Sequence, residues 1–152
     1  SGSGSIGIEA SLQVPWGKVY AIEKHPERIS DINHNIKLFN CDNIKVVNTA
    51  FPIGIETLKT PDRIFIGGGG ENLEKIIKAS CDRLAPLGVL VVNTVLLQSL
   101  ETSMRILKKY EFDPCIVQIQ VSRSKSKGMP FGDRLEALNP VWIISGSKPK
   151  IR

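Results

Sequence analysis

The chain begins with SGSGSIGIEA, Ser1 to Ala10, a small-residue run that passes directly into apolar positions. Ile6, Ile8 and Ala10 continue the run as an ordered, amphipathic start. Glycine lets a backbone approach a ligand closely, and the free amides at a helix N-terminus can face a polar group. The stretch therefore indicates either a glycine-rich ligand loop that leads into a helix or a plain linker, and the glycines alone do not separate the two.

Composition limits the class of protein. The chain has 152 residues, enough for one domain, with 41% hydrophobic and 23% charged residues, as in ordinary soluble proteins. No apolar run approaches the ~20 residues that cross a bilayer. No signal peptide is visible, so we expect a cytoplasmic protein without a membrane partner. The three cysteines lie far apart without CxxC spacing, which argues against a disulfide scaffold or a metal site.

The hydrophobic pattern alternates between short apolar runs and longer stretches with helical spacing. We expect strands at 18–23, 44–47, 63–66, 89–93, 112–121 and 138–145. Helices are expected at 6–12, 26–40, 73–84 and 96–110, with a further short helix ending at Leu58. A loop is expected at 122–133, with a lid around Met129-Pro130-Phe131, and a frayed tail at 148–152.

This alternation predicts an α/β fold with a doubly wound, Rossmann-like, mostly parallel sheet. The last two strands have no helix between them, so the last strand should be antiparallel. A glycine-rich loop of this kind needs a strand before it, whereas the sequence starts inside the loop. We therefore expect a domain over residues 1–147 that is N-terminally truncated and lacks its first strand, followed by the tail at 148–152.

Candidate ligand-binding residues follow the predicted strands, where doubly wound sheets bind their ligands. Gly2 and Gly4 belong to the first loop, and Glu23 ends the next strand about 20 residues on, where an acid commonly binds ribose hydroxyls. Gly67–Gly70 follow a third strand. Asn93 ends a fourth, and it either hydrogen-bonds a ligand or closes a turn.

Longer sequence blocks carry a specific resemblance. The opening stretch together with VYAIEKHPER, residues 19–28, resembles class I S-adenosylmethionine-dependent methyltransferases. The blocks FIGGGG at 65–70, LVVNTV at 90–95 and ALNPVWII at 137–144 are similar to those of the decarboxylating precorrin C15-methyltransferases. That family occurs as a small separate subunit or as the C-terminal half of a bifunctional precorrin-6Y C5,15-methyltransferase. The resemblance extends from Ser1 to about Gly146.

The resemblance implies S-adenosylmethionine as cofactor. It implies methylation of a precorrin at C15, with loss of the ring C acetate carboxyl, in cobalamin biosynthesis. It does not identify a catalytic residue. The family often has Gly-Asp-Ala-Pro after its third strand, and Ala50 replaces the acid here, which leaves backbone groups and the Phe51 ring to face the adenine. The implied cofactor-binding residues are Ser1, Gly2, Ser3, Gly4, Glu23, Ala50, Phe51 and Gly67.

The substrate implied by the resemblance is an anionic tetrapyrrole. The net charge of +5 and the pI of about 9.2 favour an anionic partner. Arginine and lysine are natural partners for carboxylates, although charged runs are often merely solvated. The predicted substrate-binding residues are Gly68, Gly69, Asn93, Arg123, Lys125 and Arg134.

Other functions stay open at this stage. The basic charge also permits a class I methyltransferase that acts on RNA or protein. Against RNA, aromatic residues make up only 6% of the chain, and no face combines aromatic and basic residues for stacking on bases, so we expect no nucleic acid partner. A non-catalytic part of a bifunctional enzyme is the third alternative. The resemblance also suggests a homo-oligomer, such as a tetramer.

Overall fold

Strands and helices alternate along the chain in the computed structural model, which describes residues 1–125 and 134–150. The chain divides into two compact units, Ser1–Leu58 and Lys59–Arg152. No helix among the described residues is both long enough and apolar enough to cross a membrane.

The first unit is built on two parallel strands. Its elements in chain order are α1 (Ser5–Gln13), β1 (Val19–Glu23), α2 (Pro26–Leu38) and β2 (Ile44–Asn48). The register of β1 and β2 runs from Val19 opposite Ile44 to Glu23 opposite Asn48, so both strands end at the same edge. The buried apolar residues of this unit are Ile8, Ala21, Ile32, Cys41 and Ile55.

Local sequence explains these elements. Pro26 occupies the first turn of α2, where a missing N–H is not needed, and Ile32 lies on the buried face of that helix. Asn43 holds the connection between α1 and β1, because its Nδ2 donates to Val14 O at 2.9 Å and its Oδ1 accepts from Ser11 Oγ. The bond from Nδ2 satisfies a carbonyl at the end of α1.

The second unit contains a four-stranded mixed sheet with the order β3-β4-β8-β5. Its elements are β3 (Arg63–Ile66), a 3₁₀ helix (Gly70–Asn72), α3 (Leu73–Arg83), β4 (Val89–Thr94), α4 (Leu97–Lys109), β5 (Cys115–Ile119), β6 (Ser122–Lys125), β7 (Arg134–Ala137) and β8 (Val141–Ser147). Strands β3 and β4 are parallel, whereas β8 is antiparallel to both β4 and β5. The core residues are Ile66, Leu73, Ile77, Cys81, Leu84, Leu90, Val92, Ile106, Leu107, Phe112 and Ile144.

Strands β6 and β7 form a separate antiparallel pair, here called the arm (residues 122–125 and 134–137). Ile119 of β5 pairs with Val141 of β8, and Ser122 of β6 pairs with Ala137 of β7. Two residues therefore separate the pairs on one strand and three on the other, so residues 138–140 contain one extra residue. Such a bulge bends and twists a ribbon, and it is a position where proline is tolerated. The ALNPV block thus contains the bulge between the main sheet and the arm.

Most predicted elements are confirmed. Each of the four long helices and each predicted strand has a counterpart within a few residues, and β8 is antiparallel as expected. The α/β class with parallel strands joined through helices is confirmed as well.

Three expectations need correction. Residues 49–58 form turns rather than a short helix, because Gly54 has φ +71 and Thr49 Oγ1 binds Ile53 O at 2.9 Å. The long strand at 112–121 is limited to β5. The loop expected from Ser122 begins as strand β6, because it pairs with β7. Residues 126–133 of that loop, including the expected lid, lie outside the described residues.

Lys148 is also not frayed. Its backbone N–H donates to Gly88 O at 2.8 Å, and its carbonyl accepts from Leu87 N at 3.1 Å, which extends the ladder between β4 and β8. Its Nζ donates to carbonyls at the C-terminal end of α3, those of Cys81 at 2.7 Å and Leu84 at 2.8 Å. The positive charge therefore lies at the negative end of the helix dipole. The domain limits themselves stay a prediction.

Candidate functional site

The Glu23 carboxylate lies at the carboxyl end of β1, against the Ser1–Gly4 loop. It is 5% exposed. Oε2 accepts from the Ser1 α-ammonium at 2.6 Å and from Gly2 N at 3.0 Å. Oε1 accepts from the backbone N–H groups of Lys24 at 2.9 Å and His25 at 3.1 Å. The sequence-predicted loop and its acid are thus brought into direct contact.

These contacts keep Glu23 ionised. Burial by itself raises the pKa of the carboxyl, but the hydrogen bond from the Ser1 ammonium and those from the His25 and Gly2 amides lower the pKa to about 2. A carboxylate has about four lone-pair positions, and all four are taken by these donors.

The loop itself has the backbone that its glycines permit. Gly2 and Gly4 have φ of +59 and +84, which side-chain-bearing residues rarely adopt. A Cβ on Gly4 would lie 3.2 Å from the Ile32 side chain, so this glycine also allows α1 to approach α2. Asn35 of α2 donates to Ser3 O at 3.0 Å. Open space surrounds Gly2, where no atom lies within 4 Å of an added Cβ.

Ala50 and Phe51 follow β2 at the same edge as Glu23. Thr49 N donates to Glu23 O at 3.1 Å, which connects the ends of β1 and β2. Ala50 is exposed and Phe51 is half-buried. The first unit therefore brings together all but one of the predicted cofactor-binding residues, the exception being Gly67 of the second unit.

In the second unit, the glycines 67–70 connect β3 to the 3₁₀ helix. A Cβ on Gly69 would come within 2.7 Å of Leu73 Cα, so only glycine fits there. Gly68 has φ +148 and nothing within 4 Å of an added Cβ. The loop therefore presents bare backbone to open space at the carboxyl end of β3, as expected for a surface that a flat ligand can approach.

Asn93 lies near the end of the neighbouring strand β4. Its Oδ1 is buried and has no hydrogen-bond partner among the described residues. The turn after β4 is closed by Thr94 instead, whose Oγ1 accepts from Leu96 N at 3.1 Å. Because a buried acceptor without a partner is costly, Asn93 is suited to accept a hydrogen bond from a ligand.

An open cavity of about 200 Å³ adjoins the Gly67–Gly70 loop. Glu74, at its edge, accepts from Lys78 at 2.7 Å and from Arg105 at 2.8 Å, which connects α3 to α4 and lowers the pKa of Glu74 to about 2. No sequence pattern predicts this cavity, because its wall comes from two helices that are distant in sequence. Its lining residues are Gly70, Glu71, Leu73, Glu74, Gln98, Ser99 and Thr102.

The predicted basic residues lie on the arm. Arg123 is on β6 and Arg134 on β7, both exposed, and Lys125 is opposite Arg134 in the strand register. Among the described residues, no group of three or more His, Cys, Asp or Glu side chains could hold a metal ion.

Comparisons with known proteins converge on one group. A family described as precorrin methyltransferase domain matches residues 1–145. The probable cobalt-precorrin-6B C(15)-methyltransferase (decarboxylating) of Saccharolobus solfataricus is 34% identical over 97% of this chain and 75% of its own length.

Solved structures agree. The precorrin-6y C5,15-methyltransferase of Geobacter metallireducens superposes with a TM-score of 0.85 at 36% identity, over 95% of this chain and 74% of that one. The precorrin 8w decarboxylase of Methanobacterium thermoautotrophicum gives a TM-score of 0.74 at 28% identity, over 85% and 69% respectively.

Proposed function

Because this chain belongs to the precorrin methyltransferase domain family, we propose that it transfers a methyl group to C15 of a cobalt-containing precorrin and removes a carboxyl group from that substrate. The carboxyl removed is that of the ring C acetate, and the step belongs to cobalamin biosynthesis. The chain is a methyltransferase, and its fold implies the use of S-adenosylmethionine.

The observation that carries this proposal is the buried, ionised Glu23 beside the glycine-rich loop. When bound, S-adenosylmethionine supplies an electrophilic methyl group. Glu23 would hold the cofactor by accepting hydrogen bonds from the ribose hydroxyls. Ala50 offers backbone groups to the adenine, and Phe51 offers its ring.

The donor set fits this cofactor. Open space at Gly2 leaves room for it beside the loop, and the α1 helix has no side-chain cap, so its first amides are available. Gly67, Gly68 and Gly69 let a planar macrocycle approach the backbone, and Asn93 Oδ1 accepts a hydrogen bond from the ligand. These residues position the reactants, which is the main task of a protein when the donor is intrinsically reactive.

We also propose that the chain works in the cytoplasm as a homo-oligomer, such as a tetramer. Support for association comes from β5, which pairs with β8 alone among the described strands and whose residues are all exposed.

Calorimetric titration of S-adenosylhomocysteine tests the cofactor site. We expect Glu23→Gln to weaken binding at least tenfold, since a hydrogen bond to a charged group contributes about 1.5–3 kcal/mol. Glu9→Gln, an exposed change on α1, is the matched control and should bind like the native chain.

Incubation with cobalt-precorrin-6B and S-adenosylmethionine tests the reaction, read as methyl incorporation together with carbon dioxide release. Equal cofactor binding by the Glu23 and Glu9 variants would contradict the assigned role of Glu23. Cofactor binding without methylation of the precorrin would contradict the substrate and favour an RNA or protein acceptor.

A further inference from the structure

The arm begins at the ligand-binding end of the second unit's sheet. Thr94, the last residue of β4, pairs with Trp142 at the start of β8, and Trp142 also pairs with Gln118 near the end of β5. The end of β5 and the start of β8 therefore lie at the edge where β3 and β4 end. The arm extends from this edge, which also carries the Gly67–Gly70 loop and Asn93.

The arm is attached firmly to that edge. Gln120 Nε2 donates to Leu138 O at 2.6 Å, and Leu138 N donates to Val121 O at 2.8 Å. These bonds bridge the bulge, so the two strands of the arm continue the pairing of β5 and β8. A ribbon held in this way can present side chains at fixed positions to a ligand.

The two faces of the arm differ. Arg123 is directly opposite Glu136, and Arg134 lies two residues from Glu136, so these three side chains share one face. Ser124 and Leu135 are opposite each other on the other face, and Leu135 is 73% exposed. The described side chains on the first face are therefore two cations and one acid, and Lys125 occupies the register position opposite Arg134.

From this placement we infer that the arm is the carboxylate-recognition site for the macrocycle, with Arg123 and Arg134 binding carboxylates at its rim. The inference rests on the proposed function for the identity of the ring, because a precorrin carries many carboxylates. Arginine matches carboxylate geometry with two parallel hydrogen bonds. The arm therefore recognises the carboxylates at the rim of the macrocycle, whereas the reaction belongs to the carboxyl ends of the strands.

Fluorescence titration with uroporphyrin, a tetrapyrrole with carboxylates on every pyrrole ring, tests the inference. Coproporphyrin, which carries fewer carboxylates, is the matched probe. We expect Arg123→Gln and Arg134→Gln each to weaken uroporphyrin binding about threefold, and the double variant about tenfold. The loss should be smaller for coproporphyrin and should vanish at about 1 M salt, where screening acts within about 3 Å.

Two controls separate the possible outcomes. Lys108→Gln removes an exposed cation from α4 and should leave porphyrin binding unchanged, which excludes an effect of net charge alone. S-adenosylhomocysteine affinity should stay native in both arginine variants. Porphyrin binding that is absent, or equal in native and double-variant chains, would overturn the arm's role. Failure of the native chain to bind S-adenosylhomocysteine would instead contradict the proposed function.

Discussion

The Glu23 carboxylate has two roles, one in holding the loop and one in the proposed binding of the cofactor. Oε2 holds the loop through the backbone amide of Gly2, and Oε1 accepts from the amides of Lys24 and His25, which follow β1. The same oxygens are the proposed acceptors for the ribose. The Gly2 bond and the positive φ of Gly2 and Gly4 shape the loop before the cofactor arrives. Preorganisation of this kind reduces the ordering cost of binding.

The lowered pKa of Glu23 makes stability depend on pH. The pKa falls from 4.5 to about 2 on folding, so the stabilisation is complete above the unfolded value and is lost as the pH falls towards 2. The difference corresponds to at most about 3 kcal/mol. We expect the free energy of unfolding, measured by urea titration, to fall more between about pH 5 and pH 2 for the native chain than for Glu23→Gln.

Comparison with the variant isolates Glu23, because other carboxyls, including the partly exposed Glu74, titrate equally in both chains. Parallel pH profiles for the two chains would show that the Glu23 contacts add nothing to folding.

At the level of elements, the end of α3 depends on a residue far away in sequence. Lys148 Nζ donates to the carbonyls of Cys81, Asp82 and Leu84. Helix ends leave such carbonyls without partners, and a cation there also interacts favourably with the helix dipole.

Replacement of Lys148 by methionine removes the charge and keeps the apolar stem. We expect Lys148→Met to lower the free energy of unfolding by about 1–2 kcal/mol in urea titrations, since three carbonyls lose their donor. Lys150→Met is the control, and it should remain within about 0.5 kcal/mol of the native chain. Identical unfolding midpoints for the two variants would rule out a capping role.

The ALNPV block, residues 137–141, acquires its structural role from the strand pairing of the arm. Asn139 and Pro140 belong to a block that resembles the family, and the strand register places both of them at the bulge. Proline has no N–H to donate, and a bulge leaves one residue without a ladder partner, so the two fit together.

For the whole molecule, the proposed self-association follows from the exposed β5 strand. Ile116, Val117 and Ile119 are 44%, 50% and 45% exposed on a strand that has one free edge among the described residues. Free apolar edges promote pairing with another chain, and a second copy of this chain is the proposed partner.

Sedimentation velocity tests this association. We expect the native chain to sediment as an oligomer and Val117→Lys to shift it towards monomer, because a charge at an apolar strand edge disfavours pairing. Leu38→Lys, an exposed change on α2, is the control and should leave the oligomer intact. A native chain that sediments as a monomer would refute the proposal.

The sequence by itself determined the class and order of the elements. Helical and strand periodicities, Pro26 at the start of α2 and the glycine runs are local signals, and they led to the four long helices and to the strands β1–β5 and β8. The spacing between the first loop and Glu23 also placed these two in contact correctly, because consecutive parallel strands end at the same edge.

The tertiary structure decided what depends on distant partners. The position of β8 between β4 and β5, the bulge before Val141 and the anchoring of Lys148 all require contacts between residues far apart in the chain. Only the structure shows that Thr94 closes the turn after β4 and that Asn93 Oδ1 has no hydrogen-bond partner among the described residues. Periodicity describes one segment at a time, whereas strand register and hydrogen-bond partners are set by segments that meet only in the folded chain.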